Sequence, residues 1–320
     1  VRLDELDIIR RIVKELPDPP AGFSKIGDDV ALLPIPGRNI VMKSDMLVRR
    51  TDVPAGMTCR QAARKSVAMC VSDFAAKGAA PTAFTISLGI PRGMKAKDVG
   101  GLARGFVDAA AEWGLTLVGG DTNEADDLVI DCTMIGGAED VVTRDGAAPG
   151  DLVVVTGEFG YPAAGLKIMM EGAKAGAEFR RRAVQSVTRP TPSLRVGIAL
   201  SKFLSSSIDS SDGLAVCLHS IAEASGVGIR IDEIPVADDV VRFANENGFS
   251  VEELALYGGE EYLIVGTMRK KDIEKAKAAV RRVGGDIRVI GVTTEEKGSV
   301  FRVAGGRTRE IERKGWVHLR

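Results

Sequence analysis

Only two histidines occur in the 320 residues, His219 and His318, and 99 positions separate them. That scarcity excludes a zinc centre built from several imidazoles, although either ring stays open to a supporting role. The four cysteines, Cys59, Cys70, Cys132 and Cys217, share no CxxC spacing and lie in apolar surroundings such as "VAMCVSDF" and "LAVCLHS". They read as reduced core residues. Neither sign of charge is in excess: the formal net charge is −1, and no block of Lys or Arg is interleaved with aromatics. Nucleic acid is therefore set aside as a partner. No apolar run reaches the length of a signal or membrane segment, and the opening "VRLDELDIIRRIVKELPDPP" alternates charge with Leu and Ile as an amphipathic helix does. The expectation is a cytoplasmic protein with no membrane contact. Also missing are a GxxxxGK[ST] P-loop, a GxGxxG before a helix, the kinase catalytic-loop pattern, short repeats and low-complexity tracts.

What is there is an ordinary globular composition, 45% apolar and 27% charged, over a length that suits two domains and a sizeable core. Strand-like stretches ("DDVALLPI", "NIVMKSD", "TAFTISLGI", "LTLVGGDT", "LVIDCTMIGG") alternate with helical patterns over 59–79 and 97–113. The second half repeats the mixture with "LVVVTG", "AAGLKIMMEGA", a helix after "RPTPS", "LAVCLHSIAEA", "GIRID", "EYLIVGTM", a helix over 270–282 and "IRVIGVT". The fold class is α/β (α+β). Within 59–79, Ala63, Val67, Cys70, Val71 and Phe74 form one apolar stripe that should pack on a sheet, with Asp73 off it. A shift to Gly, Pro and Ala at "TRDGAAPGDLVVVTG" marks a hinge at about residue 147 and predicts domains over 1–146 and 147–320.

The chemistry-bearing pattern is acidic. Asp28 and Asp29 stand in "IGDDVALL", Asp45 ends "NIVMKSD", Asp73 lies in "VSDFAAKGAAP", Asp121 in "LVGGDT", and Asp209 and Asp212 in "SSSIDSSDGL". Taken singly, each is an ordinary cap or turn residue, and Asp212 could cap a helix beginning at Gly213. Taken together, short acidic motifs with Gly or Ser alongside, at the ends of apolar strands or within a helix, suit carboxylates gathered around hard cations. Magnesium takes oxygen ligands, usually one or two carboxylates per ion with phosphate and water completing the shell, so the expected ligand is a nucleotide triphosphate with several Mg²⁺. Gly119 and Gly120 allow close backbone approach beside Asp121, and Arg144 is either a phosphate clamp or a solvated loop residue.

In order along nearly the whole chain, "IGDDVALL", "SDML", "VSDFAAKGAAP", "LVGGDT", "TRDGAAPGD", "IDSSDGL", "YGGEEYLIV" and "GWVHL" resemble the motifs of the thiamine-monophosphate kinase family. That family shares a superfamily with aminoimidazole-ribotide synthetase, selenophosphate synthetase and a hydrogenase-maturation dehydratase. The resemblance implies a two-domain fold of the ribotide-synthetase type: an N-terminal domain for ATP, metal and dimerisation, and a C-terminal α/β domain. The N-terminal sheets of two subunits would close a homodimer interface, with ATP in a groove lined by the aspartates. By motif, Asp29, Ser44, Asp45, Asp73, Asp121, Asp209 and Asp212 look like Mg²⁺ ligands, and Gly120, Asp121, Arg144 and Ser211 like nucleotide contacts. Glu260 and Trp316 resemble the family's substrate contacts; apart from the resemblance, they read as a strand-flanking residue and a tail residue packed on the core. One position departs: Asp52 stands where many relatives carry a histidine, and a carboxylate there could approach the cationic thiazolium or the amino-pyrimidine but cannot repeat imidazole chemistry.

The implied reaction is phosphorylation of thiamine monophosphate to thiamine diphosphate by ATP. A phosphate monoester has a second pKa of about 6, so the acceptor oxygen is already largely deprotonated and no acid or base residue is required. Arg144 and the metals would support direct in-line transfer. Two alternatives remain open at this point: ring closure of the ribotide-synthetase kind, which the cysteines do not exclude although "GGEEY" and "GW" favour the kinase, and a non-catalytic nucleotide-binding scaffold. The selenophosphate synthetase reading expects a reactive Cys near the N-terminus, where the first is Cys59, and the dehydratase reading expects a C-terminal one.

Overall fold

The structure, a computed structural model, describes residues 5–15, 28–35 and 38–318. The remainder of the charged opening segment, Ile26 and Gly27 of "IGDDVALL" and Leu319 of "GWVHL" lie outside the described residues. After helix α1 (Glu5–Glu15), the N-terminal sheet comprises β1 (Ala31–Ile35), β2 (Arg38–Val48), β3 (Ala80–Ile90), β4 (Thr116–Glu124) and β5 (Val129–Ala138) in the order β1-β2-β5-β3-β4. Pairing is antiparallel except between β3 and β4, which run parallel because α4 (Ala96–Trp113) makes the crossover. The short α2 (Arg49–Asp52) and the long α3 (Cys59–Ala76) complete this half.

Alternation along β2 sorts its two faces. Val41 and Leu47 are buried toward α3 and carry Lys43 and Asp45 to the same side, while Met42, Ser44 and Met46 point to the other. That other face is open: Met42, Met46, Leu117, Val118 and Ile135 are exposed on it or on its edge strand β4.

The second sheet is made of β6 (Leu152–Val155), β7 (Leu204–Asp209), β8 (Gly228–Ile231), β9 (Ile264–Met268), β10 (Arg288–Thr294), β11 (Val300–Ala304) and β12 (Arg307–Glu310), ordered β12-β11-β8-β10-β6-β9-β7. Around it lie α5 (Tyr161–Glu171), α6 (Ala177–Thr188), α7 (Leu194–Leu200), α8 (Leu214–Ser225), α9 (Asp238–Asn247), α10 (Val251–Leu256) and α11 (Ile273–Arg282). α8 packs Leu214, Leu218 and Ile221 on one face of the sheet, and α7 and α11 pack Val196, Leu200 and Val280 on the other, so β6 is apolar on both sides. The sequence pattern does not show α6, α9, α10, β11 or β12 as separate elements. Among the described residues no helix is long and apolar enough to cross a membrane.

α3 is the axle of the molecule. Thr58 and Gln61 close a capping box at its start, worth about 1 kcal/mol. It ends at Ala76, three residues short of the predicted 79, because Gly78 turns the chain at φ 66°. From Ala62 to Ala76 every residue but Met69 is buried, polar ones included, since the helix runs between the sheets. It packs on β2, β3 and β5 with one side and on β7, β9 and α7 with the other. β7 is the sheet edge nearest to it, and Ser207 Oγ ties that edge to the end of α3 by donating to the Ala76 carbonyl (2.6 Å), while Ser205 Oγ donates to Asp151 (2.6 Å) and Ser206 shares a hydrogen bond with Thr267 of the neighbouring β9 (2.7 Å).

Candidate active site

Where α3 passes between the sheets, five carboxylates meet three cations. β2 supplies Lys43 and Asp45, the end of α3 supplies Ser72, Asp73 and the following Lys77, and the approach to β1 supplies Asp28 and Asp29. β7 ends on Asp209, and the connection between the sheets brings Arg144. Asp29, Asp73 and Asp209 are buried, and each offers a carboxylate oxygen within 4.8 Å of the others. Lys43 Nζ lies 3.0 Å from Asp73 and 3.2 Å from Asp45, and Lys77 Nζ lies 2.7 Å from Asp28 and 2.8 Å from Asp29. Arg144 pairs with Asp29 through its guanidinium, and its main-chain N–H donates to Asp28 at 3.2 Å. Ser72 Oγ donates to Asp209 at 3.0 Å.

Negative charge is in surplus, and the proton affinities record it. Burial, then the neighbouring Asp29 carboxylate, pushes Asp209 up to about 7, against the pull of Lys43 and Ser72. Burial also holds Asp73 well above the usual carboxylate range, opposed first by Lys43 and reinforced by Asp209, Asp45 and Asp29. Burial alone would raise Asp29 too, but Lys77 and then Arg144 bring it below its ordinary value. Burial works against the ammonium of Lys43, yet Asp73, Asp45 and Asp209 raise its pKa well above that of a free lysine. Buried oxygens with uncompensated charge fit a hard divalent cation of the magnesium type, which would bring the missing positive charge. Arg144 offers guanidinium donors of the kind that bind phosphate.

A second group adjoins the first. "GGEEY" docks along "DSSD" through its backbone: Glu260 N–H donates to Ser211 O (2.6 Å) and Tyr262 N–H to Ser210 O (2.9 Å). A Cβ at Gly259 would lie 2.6 Å from Ser211 O, which explains that glycine. Glu260 and Tyr262 carry the two positive φ values found outside glycine among the described residues, 66° and 52°. Such conformations persist where the surroundings enforce them, and they cluster at functional sites. The buried Tyr262 hydroxyl has its pKa raised by burial first and then by Glu260, Asp45, Asp209 and Asp52. Glu260 pairs with the buried Lys65 of α3, whose Nζ also donates to the Asp52 carbonyl at 2.9 Å. Asp52 itself closes α2, Oδ2 accepting the Val48 N–H at 2.7 Å. Trp316 is 51% exposed and tied to the same loop by its main-chain N–H to Asp212 O, 3.1 Å.

The structure thus brings together Asp29, Asp45, Asp73, Asp209 and Arg144, and beside them Ser211, Asp212, Glu260, Trp316 and Asp52. The N-cap of α8 is Gly213 at φ 115°, so Asp212 is not the residue in the capping position. Three sequence-read residues lie elsewhere. Ser44 points to the open sheet face, where Oγ meets Asp131 (3.0 Å) and Thr133 (3.0 Å). Asp121 sits opposite Ser87 on that open face and accepts only the Thr122 N–H (2.8 Å) among the hydrogen bonds described. Gly120 beside it meets β3 so closely that a Cβ would fall 2.1 Å from Ile86 O, which accounts for this glycine through strand packing. Sequence reasoning missed Lys43, Lys65, Lys77, Ser72 and Tyr262. A lysine two positions before Asp45 on a strand, and one four after Asp73 on a helix, were the available signals.

Two family models match the chain: AIR synthase related protein, N-terminal domain, over residues 27–138, and AIR synthase related protein, C-terminal domain, over 148–304. A thiamine-monophosphate kinase of Nitrosopumilus maritimus is 36% identical over 319 residues, 100% of this chain and 99% of that one. The enzyme of that name from Pyrococcus horikoshii is also 36% identical, over 100% of this chain and 97% of its own. Among solved structures, AaThiL complexed with AMPPCP and TMP superposes with a TM-score of 0.87 at 28% identity, covering 99% of both chains. Full-length likeness of this order, carried by both domains, leaves one conclusion: the chain belongs to the AIR synthase related family and, within it, to the thiamine-monophosphate kinases.

Proposed function

We propose that this phosphotransferase moves the terminal phosphoryl group of ATP directly onto the phosphate of thiamine monophosphate, giving thiamine diphosphate and ADP. The observation that carries the reading is the buried trio Asp29, Asp73 and Asp209, with its surplus negative charge, next to the Glu260–Trp316 group. A relative of the same fold is complexed with AMPPCP, an ATP analogue, and TMP, which supports the same pair of ligands here. Several Mg²⁺ held by Asp29, Asp45, Asp73, Asp209 and Asp212 would neutralise the charge of two polyanions brought together.

The chain's own groups do the rest. Arg144, pre-oriented by Asp28 and Asp29, offers its guanidinium to the nucleotide phosphates, and Ser211 lies between the two carboxylates of its loop. Glu260 and Trp316, fixed to that loop by backbone hydrogen bonds, orient the acceptor, and Asp52 adds a carboxylate toward the cationic ring. No side chain need abstract a proton, because the acceptor's second pKa of about 6 leaves its oxygen ionised at neutral pH. Positioning and charge compensation therefore carry the rate. The apolar open face of the N-terminal sheet supports a homodimer, with Gly120, Asp121 and Ser44 at the contact. Incubation with ATP, Mg²⁺ and thiamine monophosphate tests the reading: thiamine diphosphate and ADP appear in equal amounts. ADP with inorganic phosphate alone, or no turnover with tight ATP binding, would overturn it in favour of another ATP-dependent reaction or a scaffold.

A further inference from the structure

The N-terminal and C-terminal parts each contribute a candidate acceptor contact, Asp52 and Glu260, and one buried ammonium touches both. Lys65 sits in the second turn of α3 with a fully buried side chain, and its Nζ pairs with the Glu260 carboxylate while donating to the Asp52 carbonyl at 2.9 Å. Holding that carbonyl fixes the last residue of α2 and so the direction from which the Asp52 carboxylate enters. Holding Glu260 helps keep that residue in its left-handed conformation, φ 66°, together with its N–H to Ser211 O. Lys65 engages Glu260 Oε1, whereas Glu260 Oε2 is buried with no hydrogen-bond partner. A buried carboxylate oxygen in that state is matched by a donor that arrives with a ligand, such as an amino group. Charge matches as well: two carboxylates and one ammonium leave a single net negative charge facing a thiazolium of single positive charge.

We propose that Lys65 is a positioning residue of the acceptor pocket: it locks Asp52 and Glu260 into one constellation across the two halves of the molecule and sets the local charge there for the monocationic ring of the acceptor. This rests on the phosphotransfer reading above. Lys65 touches no reacting atom, so its removal should split the two substrates. Lys65→Met, similar in length and uncharged, is expected to raise KM for thiamine monophosphate at least tenfold while KM for ATP stays within twofold. Glu260→Gln should give a comparable rise, and the double variant Lys65→Met/Glu260→Gln a loss above that of Glu260→Gln but below the product of the two single losses, because the Lys65–Glu260 pair is shared while the hold on the Asp52 carbonyl goes only with the lysine. Steady-state kinetics with both substrates, alongside thermal melting, decides. A wild-type protein that makes no thiamine diphosphate overturns both readings. A wild-type protein that turns over, with Lys65→Met leaving KM for thiamine monophosphate unchanged or raising both KM values alike, overturns the Lys65 proposal alone. If Lys65→Met does not fold, the neutral double variant stands in for it: a KM for thiamine monophosphate above that of Glu260→Gln with KM for ATP unchanged supports the proposal, and a KM equal to that of Glu260→Gln refutes it.

Discussion

Replacing Asp209 by asparagine should stabilise the metal-free protein even as it damages the site. Asp209 is raised from 3.8 to about 7, mainly by burial and then by Asp29, a difference worth about 4 kcal/mol. Because Asp29, Asp73 and Lys43 share that charge field and relax with it, about 2–4 kcal/mol is the usable range. The sign follows from proton binding. Between pH 4 and 7 the folded protein holds a proton on Asp209 that the unfolded chain has lost, so unfolding releases a proton and stability falls as pH rises, levelling off above about 7. Asparagine keeps the shape and an acceptor for Ser72 Oγ, but never ionises. In chelator, Asp209→Asn should therefore match the wild type near pH 4 and exceed it at pH 8 by about 2–4 kcal/mol, or about 3–6 °C in melting temperature. Thermal melts at both pH values measure this, with the wild-type-minus-variant difference isolating Asp209 from other titrations. Added Mg²⁺ should raise the wild-type melting temperature at pH 8 and leave the variant nearly unmoved. A difference that does not change between pH 4 and 8 would refute the surplus-charge account of the site.

Asp52→Asn should raise KM for thiamine monophosphate several-fold, a loss of about 1 kcal/mol, and leave that for ATP unchanged in steady-state assays; an unaltered acceptor KM returns Asp52 to its backbone contact with Val48. Asp212→Asn, nearly isosteric, should keep the wild-type melting temperature yet lower turnover by about a hundredfold or more, and near-native activity removes that residue from the site. Val118→Lys, which adds a charge to the open apolar face, should shift the protein to monomers in sedimentation equilibrium, and a persistent dimer would place the contact elsewhere.

The amino-acid sequence by itself determined the alternation of strands and helices, the acidic positions, and the order of motifs that identifies the family. These are local or linear properties. Alternation along a strand, the Gly-Gly before Glu260 and the Asp-Ser-Ser-Asp run need no distant partner to be legible. The apolar stripe of α3 was legible for the same reason, since its period is that of the helix. What the tertiary structure decided is the fate of everything off that stripe. Lys65, Ser72 and Asp73 would read as the solvated side of an amphipathic helix, and Lys77, four residues after Asp73, as its surface partner. A second sheet packed on that side buries them instead, so Lys77 turns to Asp28 and Asp29 and Lys65 to Glu260, partners lying 48 or more positions away in sequence. Face assignment divided in the same way: Ser44 and Asp45 are neighbours in the chain, yet the pleat sends one to the open surface and the other to the buried cluster. Burial between two sheets, by removing water from charges that would otherwise be screened, is what turned dispersed aspartates into a site, and burial is a property of the packed molecule that no single stretch of its sequence contains.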